Sequence, residues 1–339
     1  MDHGVWVLGE ERNGAIHPVS YEMLAWGRGL ADALGERLTC VLLRAEAGTE
    51  TRELVYHGAD TVRVASHPEL AAFTLEPFAR IVSRLIQEHR PEILLASATT
   101  MGRTLMPVLA AKLHAGLTAD CTGLEIAVSE RLLIQTRPAI GGNVMAMIKT
   151  PERRPQMATV RPRSKRPLPR DPSHAGEVIE ESIRPGELES RTTRIRFEPD
   201  VTSDVPIQEA DVLVAGGRGM KDAKSFQKLF DLARSLGGAV GASRAAVDQG
   251  WIPYSHQVGL SGKSVTPKLY LALGISGSAN HLAGMSASEV VVAVNRDPEA
   301  NIFRLADFGI VGDLAEVLPA LLARLDRREG RHAPAEGPE

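Results

Sequence analysis

Five short aliphatic runs in the second half of the chain, DVLVAGGRG, AVGAS, LYLALGIS, VVVAVN and FGIVG, each close on glycine or a small polar residue. Amphipathic stretches such as KSFQKLFDLARSLG, with Phe226, Leu229, Phe230 and Ala233 on one face, stand between them. That alternation predicts parallel strands joined by helices, and an open parallel sheet binds ligands beyond the carboxyl ends of its strands. The turns GGRGM and GISGSANH, with Ser243, Ser261, Ser276 and Asn295 beside such ends, are therefore expected to converge on one crevice. Glycine lets the backbone approach a phosphate closely, and a following helix favours an anion.

The first half alternates in the same way: VWVLG, SYEMLAWGRGLADALG, LTCVLL, a helix near Arg52 to His57, TVRVAS, LEPFARIVSRLIQEH, EILLASA and GRTLMPVLAAKLHAG. Ser20 is the candidate cap of the first helix, Met23, Leu24, Gly27, Leu30, Ala31 and Leu34 its inner face, and Gly35 its stop. Between Thr122 and Val160 the helical period fades into short strands that extend or cover the first sheet. Arg161 to Pro172, RPRSKRPLPRDP, is too rich in proline for a helix and reads as an exposed connector or surface loop. RTTRIRFEP reads as a strand closing this domain near Asp200. The expected fold class is α/β in two domains, 1–200 and 201–328, each with a mainly parallel sheet flanked by helices, followed by a disordered tail at 329–339.

Length agrees with two domains, because 339 residues exceed one ordinary core. A net charge of -3 with both signs interspersed gives no basic surface for nucleic acid. No apolar run approaches the roughly 18 residues of a membrane span, so no membrane insertion is expected and the chain reads as cytoplasmic. Cys40 and Cys121 read as reduced structural thiols, and the scattered histidines lack metal-ligand spacing. GxGxxG, Walker A and GxSxG sequences are missing, so neither the usual nucleotide fingerprints nor serine hydrolase chemistry is indicated. Two residues call for a partner. Arg244 follows small residues at a strand end, where burial would demand an anion, although Asp248 four residues on offers an ordinary helical ion pair. His281 closes the GISGSAN turn, either as a satisfied core histidine or as a ligand contact.

The segments GGRGM, VGASRAAVDQGWIP, HQVGLSGKSVTPKLYLALGISG, HLAGM and VNRDPEANIFRLADFGIVGDL occur in that order from Asp211 to Leu314. Together they resemble the FAD domain of electron transfer flavoprotein alpha subunits. The first half resembles the same family through GRTLMPVLAAKLHAGLTADCTGL, TRPAIGGNVMA and MATVRP. The resemblance implies that Arg218 and Ser243 touch FAD and that Gln257, Val258, Gly259, Leu260 and Ser261 contact it through one loop. It further implies that Ser276, Gly277, Ser278, Ala279, Asn280 and His281 wrap the pyrophosphate and ring edge. Asn295, Asp313 and Leu314 would hold the adenosine end. Arg244 would lie against the isoalloxazine, the Ser261 hydroxyl near N5 and His281 near the C2 carbonyl. Leu260, Ser261 and Asn280 depart from the Gln, Thr and Gln of many members, and Leu260 keeps only backbone contact.

A one-electron-reduced flavin gathers negative charge around N1 and the C2 carbonyl, which fixed positive charge or a donor stabilises. A unit charge at about 4 Å in an effective dielectric near 20 is worth at most roughly 4 kcal/mol, or well over 100 mV. By resemblance the partner is a beta subunit carrying AMP or a second FAD, and the first domain packs on it. Electrons would come from flavin dehydrogenases such as acyl-CoA dehydrogenases of fatty acid beta-oxidation and pass to a quinone oxidoreductase or another acceptor. The alternatives are an electron-bifurcating subunit, a dinucleotide-binding oxidoreductase with its own substrate, and an adenine-nucleotide-sensing module.

Overall fold

The structure, a computed structural model, describes residues 3–46, 48–139, 144–196 and 206–329. The chain forms two units, one of Met1–Ala139 with Val144–Phe197 and one of Ile140–Asn143 with Glu198–Glu339.

In the first unit β1 (Val5–Leu8) leads through a small hairpin, β2 (Glu11–Arg12) and β3 (Ala15–Ile16), to α1 (Val19–Leu34). β4 (Leu38–Arg44), α2 (Arg52–Tyr56), β5 (Thr61–Ser66), α3 (Leu75–His89), β6 (Ile93–Ser97) and α4 (Thr100–Leu113) follow. Then come β7 (Leu117–Cys121), β8 (Gly123–Ala127), β9 (Leu132–Pro138), β10 (Met145–Ile148), β11 (Gln156–Val160) and β12 (Glu177–Glu181). Seven strands pair in parallel in the order β12-β5-β4-β1-β6-β11-β7. β10-β9-β8 make a separate antiparallel sheet, so the Thr122 to Val160 region contributes both an inserted strand and a second layer.

The pleat sends alternate residues to opposite faces. Val5, Val7, Leu38 and Cys40 join Met23, Leu24, Leu30 and Leu34 of α1 on one face. Trp6, Leu8, Val41 and Leu43 join Phe78, Val82, Leu85 and Ile86 of α3 on the other. Burial pushes the Cys40 and Cys121 thiols up to about 12, which leaves both protonated and inert.

Two local expectations change, and a third is refined. The first helix begins at Val19 with Pro18 as its cap, and Ser20 lies inside it. The Ser20 hydroxyl instead bridges the backbone of Glu10, accepting from its N–H at 2.9 Å and donating to its carbonyl at 3.1 Å. The stretch from Arg161 to Pro172 is a surface loop, the second of its two sequence readings, and side chains pin it to the rest of the first unit. Arg161 is buried against Asp120 at 2.7 Å, Lys165 Nζ lies 4.4 Å above the Trp26 ring, and Arg170 grips both oxygens of Glu53. It then delivers β12 to the edge of the sheet beside β5. Finally, 191–196 forms no strand; the rest of that expected strand, the expected boundary near Asp200 and nearly all of the tail lie outside the described residues.

In the second unit β13 (Val212–Gly216), α5 (Ala223–Ser235), β14 (Ala239–Ala242), α6 (Arg244–Asp248), β15 (Leu269–Leu273), α7 (Ala279–Met285), β16 (Val290–Asn295), β17 (Phe308–Val311) and α8 (Leu314–Glu329) alternate. The five strands are all parallel, in the order β14-β13-β15-β16-β17. Leu213, Ala215, Tyr270 and Ala272 face Met285 of α7, while Val214, Leu271 and Leu273 face Phe226, Leu229 and Leu232 of α5. The fold class is therefore α/β, with a helix-flanked parallel sheet in each unit. Among the described residues no helix is long and apolar enough to cross a membrane.

Candidate functional site

Because β14 and β15 flank β13, the connection out of β13 runs to one side and the connection from β14 to β15 crosses to the other, and a crevice forms where they diverge. A cleft of about 620 Å³ opens there, lined by the turns after β13, β14, β15 and β16. Its floor requires glycine. Gly274 sits at φ 65°, and a Cβ there would stand 2.8 Å from the Gly219 Cα, so these two turns touch backbone to backbone. A Cβ on Gly284 of α7 would likewise stand 2.5 Å from the Gly259 backbone.

One wall is the loop from Tyr254 to Lys263, held to β14 by the Val258 N–H on the Ala242 carbonyl at 2.9 Å. Gln257 is buried behind this wall, and its Nε2 donates to Ser261 Oγ across 3.0 Å. Val258, Gly259 and Ser261 line the cleft, whereas Leu260 turns outward with 57% of its surface exposed. Its backbone N–H donates to the Asn280 carbonyl at 2.9 Å, which joins this wall to α7.

Ser276, Gly277, Ser278, Asn280 and His281 line the opposite side; Ala279 does not. His281 is 4% exposed, and its Nε2 lies 2.9 Å from the Tyr270 hydroxyl. Burial, only partly opposed by the Val258 carbonyl, holds the imidazole down to about 4, so it is neutral near pH 7. His281 is thus a packed histidine that also lines the cleft, and its Nδ1 lacks a hydrogen-bond partner.

At Arg244 the structure takes the second of the two sequence alternatives: the residue lines the cleft, but its side chain is 71% exposed and pairs with Asp248 at 3.3 Å. A strand end at the rim of an open sheet, rather than under a helix, leaves the guanidinium in water. Arg218 also lines the cleft, at the start of the turn after β13, and makes no ion pair among the described residues.

At the far end Asn295 braces two turns, its Nδ2 donating to the Ile275 carbonyl at 2.9 Å and its Oδ1 accepting from Asp297 N–H at 3.0 Å. Asp313 accepts from the Ala315 N–H at 2.9 Å and from Lys221 Nζ at 3.1 Å, and these bonds hold its carboxyl below the usual range. Leu314 closes this end. Lys221 and Arg296 line the cleft without having been singled out in the sequence. The signal was available, since each basic residue follows a glycine or asparagine turn at a strand end.

The donor set fits a dinucleotide. Among the described residues of the second unit, the buried side-chain polar atoms lacking a hydrogen-bond partner are Ser243 Oγ and His281 Nδ1, and both residues line this cleft. Buried polar atoms are nearly always satisfied, so two orphans facing one cleft mark where a ligand belongs. The glycine floor would admit a pyrophosphate, and Arg218, Lys221 and Arg296 supply positive potential beside it. No group of side chains among the described residues could hold a metal ion.

Fold and site together define a two-unit α/β protein whose second unit carries a glycine-floored cleft with a donor set that fits a dinucleotide. Residues 5–185 match the electron transfer flavoprotein domain and residues 206–286 the electron transfer flavoprotein FAD-binding domain. The electron transfer flavoprotein subunit alpha of Thermoanaerobacterium thermosaccharolyticum is 46% identical over 95% of this chain and 98% of its own length. The protein FixB of Clostridium saccharobutylicum is 44% identical over 95% and 96%, and the subunit alpha of Megasphaera elsdenii 42% over 96% and 97%. This chain belongs to the electron transfer flavoprotein alpha subunit family. Its cofactor is FAD and its function is electron transfer, with a beta subunit as the partner that family membership implies.

Proposed function

We propose that the chain holds FAD along the cleft of its second unit, with the ring between Arg244, Ser261 and His281 and the adenosine end near Asn295, Asp313 and Leu314. The observation that carries this reading is the pair of orphaned polar atoms, Ser243 Oγ and His281 Nδ1, on the wall of a glycine-floored cleft. FAD stores one or two electrons on its ring, and the chain's own residues decide how comfortably the added charge sits. Ser261 and His281 offer hydrogen bonds at the ring edge, and Arg244 adds a solvent-moderated positive charge. Gln257 supports the site from behind Ser261, Leu260 contributes backbone alone, and Ala279 helps only by its place in the turn.

The proposed setting is a cytoplasmic heterodimer in which the first unit packs on the beta subunit, and AMP or a second FAD belongs chiefly to that partner. Flavin dehydrogenases, including acyl-CoA dehydrogenases of fatty acid beta-oxidation, are the proposed donors and a quinone oxidoreductase the acceptor. A relative from Anaerotignum propionicum, 38% identical, is named acryloyl-CoA reductase electron transfer subunit beta, which supports an acyl-CoA-linked flavoenzyme and keeps a bifurcating role as the second reading.

Purification of the complex with its copurifying partner tests the proposal. A yellow protein that releases FAD on denaturation is the expected result, and loss of flavin on substitution of the cleft residues localises it. A colourless complex that refuses FAD but binds NAD overturns the reading. Two FAD per heterodimer, with one electron pair split between two acceptors, selects the bifurcating role.

A further inference from the structure

We propose that Tyr270 is a positioning residue that fixes the tautomer of His281, so that Nδ1 carries the proton and presents it to the ligand in the cleft. The inference rests on the FAD reading for what that ligand is, but its first test does not.

Tyr270 stands on β15, fully buried beneath α7, and its hydroxyl faces His281 Nε2 at 2.9 Å. The neutral imidazole has one N–H and one lone pair, so this contact admits two arrangements. If Nε2–H donates to the phenol oxygen, the phenol proton has no acceptor among the described residues and Nδ1 is left as a bare lone pair. If the phenol donates to Nε2, both of those atoms are satisfied and only Nδ1–H remains. That atom lacks a hydrogen-bond partner and belongs to a residue lining the cleft. Buried donors and acceptors are paired in nearly all folded proteins, which selects the second arrangement.

The consequence is directional. A histidine free to choose its tautomer would meet an electron-rich ring edge with either a donor or a repelling lone pair. Tyr270 removes the second choice before any ligand arrives, as the second partner of a metal-bound histidine does for its ring. The phenol is well placed for this, because burial raises its own pKa and keeps it a donor throughout the working range.

The test is histidine-selective 15N NMR of the complex, with the His281 signals assigned through His281→Gln, before and after removal of flavin. The expected wild-type result is a pyrrole-like Nδ1 and a pyridine-like Nε2, in the flavin-free complex as well as the loaded one. In Tyr270→Phe the pure Nδ1–H form should give way to a mixture, and the one-electron potential of bound FAD should become more negative while FAD content is retained. An Nε2–H tautomer in the wild type overturns the proposal, and that measurement stands even if the variant fails to fold. An unchanged tautomer in Tyr270→Phe overturns it too, and an altered tautomer with an unmoved potential removes the link to the ligand. Failure of the complex to bind any flavin would instead sink the FAD reading and leave the tautomer result standing.

Discussion

Gln257 Nε2 donates to Ser261 Oγ across 3.0 Å from a side chain that is itself buried. An amide nitrogen can only donate, so the Ser261 hydroxyl is left with its proton to give. Replacing Ser261 with Ala removes that donor from the proposed flavin edge. One neutral hydrogen bond is worth about 1 kcal/mol, so the reduction potential of FAD should fall by ~40 mV. Gln257→Met should move it the same way by less, because the serine survives but its hydroxyl is freed to turn. Dye-linked potentiometric titration reads both, and a shift in Gln257→Met without one in Ser261→Ala would refute the relay.

Arg244 should act in the same direction for a different reason. The upper figure of well over 100 mV took an unpaired unit charge about 4 Å away in an effective dielectric near 20, whereas the guanidinium is 71% exposed and pairs with Asp248. Exposed charges of this kind contribute at most about 1 kcal/mol, so Arg244→Ala should lower the potential by no more than ~40 mV. Asp248→Asn should raise it. Both shifts should shrink at about 1 M salt, where the screening length is about 3 Å. A larger shift that ignores salt would mean that the partner subunit covers Arg244.

The same contrast separates what the sequence disclosed from what it hid. α3 was legible to the residue, from Leu75 to His89, because its apolar period is local and tertiary packing agrees with it. Strand identity in the second unit was legible too, since each aliphatic run closes on glycine or a small polar residue. Strand order was not, because pairing Gln156–Val160 between β6 and β7 joins residues far apart in sequence. The basic, proline-rich strap disclosed that it was not helical but not where it lies, which ion pairs to Asp120 and Glu53 decide. In the cleft, strand-end turns and the family resemblance pointed to most of the lining. Gln257 and Leu260 sit off it because a single loop alternates inward and outward, and Arg244 is exposed because a rim, unlike a core, does not exclude water.

Gly284 tests whether backbone contact shapes the cleft. A Cβ there meets Gly259 backbone at 2.5 Å, and backbone cannot swing aside as a long side chain can. Gly284→Ala should destabilise the protein by about 1–3 kcal/mol and displace the loop that carries Val258 and Ser261, with loss of FAD. Gly237 supplies the control, since it has a left-handed φ of 61° but nothing within 4 Å of its would-be Cβ. Gly237→Ala should cost about 1 kcal/mol and keep its flavin. Urea melts and flavin absorbance distinguish the two, and equal flavin retention would mean that the Gly259–Gly284 contact is dispensable for binding.

His281 makes a prediction about acid. Burial lowers its pKa from the ordinary 6.5 to about 4, so the unfolded chain binds this proton more readily than the folded one. The stability it contributes is therefore complete above pH 6.5, falls as pH drops toward 4, and levels off below that. The difference in pKa corresponds to a loss of about 3 kcal/mol across that window, to order of magnitude. In the flavin-free complex, urea midpoints measured between pH 7.5 and 4 should fall for the wild type more steeply than for His281→Asn, which has no proton to bind. Parallel curves for the two proteins would show that the imidazole titrates alike in both states, and the neutral, preset donor inferred for this cleft would lose its footing.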